Sequence, residues 1–274
     1  MFLVRQFLPG ILAALLVSGA IAMVGRLWKA NSWADAIAIG VGYAVGHVVT
    51  AGWPAFPPIE ATQWLPYFGI AVTVLAMIDA LLRPPGSVRA VVWFLCSAGI
   101  LLLLLISRFQ YGWSLFTGVL WIAGLATALL LLTSFLDKTA RRDASISLPL
   151  ILAIVAGGTG LALMLSGSML LGQLAFVLAG AFGAIVIVGM LLPNAINGRG
   201  IAPVSATLLC ALWLSGYFFS DLPPVSGLLL LVSPIPALML VLFDESGSPR
   251  RGLLLRTILV AVPVILAVFL AFVA

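Results

Sequence analysis

One histidine occurs in this chain, His47, and it lies deep in an apolar stretch. Wound as a helix, the segment places Tyr43, His47 and Thr50 on one face at i, i+4 and i+7. Imidazole takes up and releases a proton near neutral pH, so a histidine inside a membrane is a candidate for proton exchange or polar solute contact. The competing reading is a neutral ring hydrogen-bonded to Tyr43, Thr50 or a carbonyl across a helix contact. Gly42 and Gly46 lie beside the stripe as a GxxxG pair, the spacing that lets a second helix approach closely.

Three further positions join this candidate site. Glu60 sits in the aromatic, proline-rich segment 52–67, which prolines stiffen and which could form the rim of a pocket beyond His47. Gln173 is a polar residue early in the seventh apolar stretch. Ser233 opens Ser233-Pro234-Ile235-Pro236, a run that must break the ninth stretch and free backbone carbonyls there. Thr159, within Gly157-Gly158-Thr159-Gly160, marks a locally weak sixth stretch. The carrier reading therefore expects a polar cavity beside His47, enclosed by stretches two, six, seven and nine.

Much chemistry is excluded. A single histidine cannot build an HExxH zinc site or a bis-histidine haem site. No GxxxxGK[ST] loop is present. Cys96 and Cys210 lack CxxC spacing and sit in apolar surroundings, so they read as small hydrophobes. No cofactor and no metal is expected. The acidic residues look unremarkable. Asp79 stands one turn before Arg83, predicting an i,i+4 ion pair. Asp35, Asp137, Asp143, Asp244 and Glu245 read as solvated loop charge. Asp221 precedes two prolines and reads as turn chemistry. No two carboxylates fall at matching depth within the apolar stretches, which argues against paired-carboxylate catalysis.

The elements that must position these residues follow from composition. Of 274 residues, 64% are hydrophobic and 8% are charged, against roughly 25% charged in a soluble domain. So few charges cannot cover a water-soluble fold, and nucleic-acid binding is excluded with it. Crossing a bilayer takes about 20 apolar residues. Ten such stretches run near 8–28, 34–53, 65–82, 88–106, 112–136, 146–166, 169–192, 201–220, 223–243 and 252–273. The expected fold is all-α, a single transmembrane domain over residues 1–274 with ten spanning helices. The first stretch continues past a signal-peptide-like Ser18-Gly19-Ala20 to Val24 and reads as a span.

Eleven of the 13 Lys and Arg residues follow odd-numbered spans or open the tenth, leaving only Arg5 and Arg108 on the other side. The positive-inside rule then predicts both termini outside the cytoplasm, and the short loops and two cysteines fit an inner (plasma) membrane protein. Trp33, Trp53, Trp64, Tyr67, Tyr111 and Trp113 fall at span ends, as interfacial aromatics do, while Trp93 and Trp121 are expected to pack between helices.

The halves echo each other. Leu8-Pro9-Gly10-Ile11-Leu12-Ala13 recurs as Leu148-Pro149-Leu150-Ile151-Leu152-Ala153. Pro54, Pro66 and Pro84-Pro85 recur as Pro193, Pro203 and Pro223-Pro224, all at offsets of 137 to 140. Five spans per half would make an inverted repeat of residues 1–137 and 138–274, a layout common in secondary transporters.

The leading expectation is a small secondary carrier or facilitator for a neutral or amphipathic solute or a lipid. The competing one is a non-transporting subunit, scaffold or assembly factor whose partners are other membrane subunits. A lipid-modifying enzyme using His47 and Glu60 is the third. In each case the bilayer itself is a partner.

Overall fold

A computed structural model describes residues 2–28, 33–82, 84–142, 146–192, 200–243 and 249–274. All regular structure among them is helical: α1 (Phe2–Leu27), α2 (Ala34–Ala51), α3 (Ala61–Leu82), α4 (Gly86–Leu104), α5 (Ile106–Tyr111), α6 (Leu115–Arg142), α7 (Ser147–Leu165), α8 (Met169–Leu191), α9 (Ile201–Phe219), α10 (Pro224–Val232), α11 (Pro234–Phe243) and α12 (Pro249–Val273). Counting α10 and α11 as one broken span, ten are long and apolar enough to cross a membrane. The chain is an all-α, multi-pass membrane protein.

Differences from the expected boundaries have local causes. Pro66 does not open α3 but lies inside it. The donor it removes would have bonded Thr62, four residues back at the polar end of the helix, where an unmatched carbonyl costs little. α6 runs six residues past its expected end. At 1.5 Å per residue its 28 residues reach about 42 Å, longer than a hydrocarbon core of about 30 Å. The added turns carry Asp137 and Arg141, joined at 2.8 Å as an i,i+4 pair.

At α9 83% of the spanning window is buried, against 17% at α12. α9 is therefore the central helix, touching α2, α3, α4, α6, α7, α8 and α10. α12 lies at the rim, packed on α7, α10 and α11, and turns Ile265, Phe269 and Phe272 outward. Such exposed side chains suit lipid and not water.

The closest pairings are α1 with α2, α7 with α8, and α1 with α8. Small residues make them. A Cβ built at Gly46 would overlap Val177 of α8, the Gly10 carbonyl and the Ala14 methyl of α1. Ser18 fits beside Gly42 and donates to the Ala38 carbonyl at 2.8 Å. This is the small-residue association that membranes favour, where burial against lipid offers no hydrophobic drive. Across the halves the pairing is lopsided: α12 packs along α7, and no comparable packing joins α6 to α1. The packing does not confirm a five-plus-five repeat.

Overpacking supplies a test. Gly46→Val should cost about 1–3 kcal/mol, read as a lower thermal unfolding midpoint in detergent. Gly157→Ala, whose added methyl meets open space, should leave the midpoint unchanged or raise it.

Candidate functional site

Tyr43 and His47 stand one turn apart on α2, ring centroids 6.1 Å apart, and both are buried. Neither the Tyr43 hydroxyl nor His47 Nδ1 has a hydrogen-bond partner. Thr50, a turn further along, donates to the Gly46 carbonyl at 2.8 Å in its own helix and packs against Gly10. Gln173 is buried on α8, one turn from the Val177 that meets Gly46, so it approaches α2 near the same end. The remaining two candidates lie apart. Glu60 is exposed at the start of α3, where Thr62 donates to it at 3.4 Å. Ser233 sits at the α10–α11 break, and those helices pack on α6, α7, α9 and α12, whereas α2 packs on α1, α3, α8 and α9. The expected ring of spans two, six, seven and nine does not close around His47.

The helix-breaking residues settle their own backbones. Pro234 has no N–H to give the Leu230 carbonyl, and the Ser233 hydroxyl bonds that carbonyl instead at 2.8 Å. The Thr159 segment stays helical throughout α7. Its hydroxyl accepts the Trp213 indole N–H at 2.8 Å, and Gly158 and Gly160 make room for Val264 and Phe176. The aromatic segment after α2 is held by Tyr67, whose hydroxyl reaches the Pro54 and Ala55 carbonyls at 3.3 and 3.4 Å.

Two of the cavities among the described residues have walls from more than one helix, and neither is lined by Tyr43, His47 or Thr50. The first, about 260 Å³ and half open, lies between α4, α6, α9 and α10. Leu101, Trp121, Leu129, Trp213, Tyr217 and Leu228 are among the side chains that wall it, and it contains no charged group. Trp93 is enclosed between helices as expected, but Trp121 is 39% exposed. It stacks on Trp113 at a centroid distance of 6.0 Å. Nearby, the Arg108 guanidinium donates to the Phe218 carbonyl.

The second cavity, also about 260 Å³, opens at the cation-rich end between α4 and α6. Here the loop-charge reading needs correction. Asp137 is buried, its side chain 8% exposed, and one oxygen accepts from Arg89 at 2.7 Å and from Arg141 at 2.8 Å. Arg89 also bonds Asp79 at 2.8 Å. Asp79 of α3 and Asp137 of α6 thus share one guanidinium from α4. Asp35 is likewise buried, paired with Arg26 at 3.3 Å across the α1–α2 connection. The Arg83 expected to pair with Asp79 lies outside the described residues, as do Asp143, Asp244, Glu245 and Pro193. The signal for Asp137 was available in phase: Leu129, Leu132, Thr133, Leu136 and Ala140 form one buried face of α6, and Asp137 falls on it.

Compared with known proteins, the chain matches no family profile and no curated sequence. Its function must be read from these features.

Removing one member of a buried ion network leaves an uncompensated charge and costs about 3–5 kcal/mol. Because the Arg89 pairs are partly exposed, Arg89→Met should lie near the lower end. Combining it with Asp137→Asn should cost less than the two single losses together, a coupling that a double-mutant cycle of unfolding free energies measures.

Proposed function

We propose that this chain is a small carrier or facilitator for an amphipathic solute, with a lipid the best fit, and that the solute enters sideways from the bilayer. The observation that carries this is the uncharged, half-open cavity between α4, α6, α9 and α10. Apolar walls with a few aromatic groups suit an alkyl chain, and no fixed charge stands ready for an ionic solute. The α10 helix that walls it ends at Val232, and Ser233, still helical in its backbone, joins it to α11 at the Pro234 kink. Broken spans give transporters a segment that moves without its continuation. In this reading α10 swings and Tyr43–His47 holds the dense side of the bundle. The cation-rich end faces the cytoplasm of a plasma membrane, which leaves both termini outside.

A specific observation favours a second reading. The Tyr43–His47 pair is enclosed, and a groove of similar shape also accepts a partner's membrane helix, as in a non-transporting subunit.

Reconstitution separates the two. Vesicles carrying the protein and a fluorescent phospholipid should lose inner-leaflet fluorescence to an impermeant quencher faster than protein-free vesicles. Gly227→Trp, which fills the cavity, should slow this by about tenfold or more, one order of magnitude being about 1.4 kcal/mol of barrier. Movement no faster than in empty vesicles would overturn the carrier reading. His47→Leu tests α2 separately, and an unchanged rate removes His47 from the route.

A further inference from the structure

The cavity at the cation-rich end has a chemistry that the apolar one lacks, and it does not depend on whether the chain moves a solute. Arg89 and Arg141 both line it, and both are pinned. Arg89 uses Nε on Asp79 and Nη1 on Asp137, and Arg141 uses Nε and Nη2 on Asp137. A guanidinium carries five N–H donors in a rigid fork. Arg89 Nη2 and Arg141 Nη1 remain outside these bonds, on groups whose orientation is already set.

Lys138 lines the same cavity and is exposed. Hydroxyls complete the set. Thr127 and Thr139 of α6 donate to the carbonyls four residues back, at 2.8 and 2.9 Å. Thr133, between them on the same helix and facing the cavity, makes no such bond. The first turn of α4, at Gly86, forms another part of the wall, and a helix N-terminus adds partial positive charge.

Charge matching narrows the ligand. Arg89, Lys138 and Arg141 face Asp79 and Asp137, which leaves one net positive charge. Asp137 also lines the cavity: its Oδ2 accepts three N–H groups from two arginines, while its buried Oδ1 has no hydrogen-bond partner. A phosphate ester with one negative charge fits this balance, because its non-bridging oxygens accept from several donors at once. We propose that the α4–α6 cavity binds such a phosphate, carried by a phospholipid headgroup or by a free phosphate ester. The site lies at the end of the spans, at headgroup depth, where basic pockets between helices hold anionic lipids.

Calorimetric titration of the detergent-solubilised protein tests this with three probes: dioctanoyl phosphatidylglycerol, the acyl-free diester glycerophosphoglycerol, and dioctanoylglycerol. Binding of the phosphatidylglycerol but not of glycerophosphoglycerol assigns the site to a lipid. Comparable binding of both assigns it to a free ester. In either case Lys138→Gln, at a residue that takes part in no ion pair among the described residues, should weaken affinity about tenfold, and Thr133→Val should weaken it several-fold. Raising the salt concentration should weaken it further. Equal binding of the uncharged dioctanoylglycerol, no binding of either phosphate probe, or affinities unmoved by both substitutions would overturn the proposal.

Discussion

Where no water reaches, each polar atom needs a partner within the protein, and the arrangement of this molecule follows from that constraint. The Leu230 carbonyl, robbed of its donor by Pro234, takes the Ser233 hydroxyl. The Trp213 indole finds Thr159, and the Ser18 hydroxyl reaches across to the Ala38 carbonyl. Against this background the unpartnered groups at Tyr43, His47, Asp137 Oδ1, Ser215 and Ser226 stand out. The first two lie together on α2, and an orphaned pair there carries a desolvation cost that packing alone does not explain.

The same constraint sorts the charges. Arg26 with Asp35, Arg89 with Asp79 and Asp137, and Arg256 with Ser147 all gather at one end of the bundle. These contacts tie α1 to α2, α3 to α4 and α6, and α7 to α12, so the charges that remain also act as clasps between helices. At the opposite end the job passes to aromatic rings around Phe218 and to the Arg108 guanidinium above it. Packing density divides differently. Glycines and alanines bring α1, α2, α7 and α8 into close contact, while Trp121, Trp213 and Tyr217 space α6 and α9 apart from α10. Bulky rings meeting across a wide gap leave voids that small residues would have closed. The apolar cavity sits there.

Ten spans, their order and their approximate ends were legible in the sequence, because hydrocarbon thickness sets the length of an apolar run and Pro-Gly punctuation marks its limits. Tyr43, His47 and Thr50 could be placed on one face because helical phase is a local property. Their neighbours could not. Whether Ser233 joins them depends on which spans adjoin, and the structure packs α10 and α11 on α6, α7, α9 and α12 and not on α2. The loop assignment of Asp137 went wrong for a related reason: a carboxylate near a span end is solvated or buried according to what packs over it, and here Arg89 arrives from 48 residues away.

The amino-acid sequence by itself determined the solvent this protein lives in, its all-α class, the number of spans and the end that gathers positive charge. Each of these follows from composition and from the period of a single helix. Only the tertiary structure decided which helix is central, which carboxylates share an arginine, and where space is left open. Those depend on contacts between residues far apart in the chain, and in a membrane such contacts turn on the size and fit of side chains whose hydrophobicity is nearly uniform.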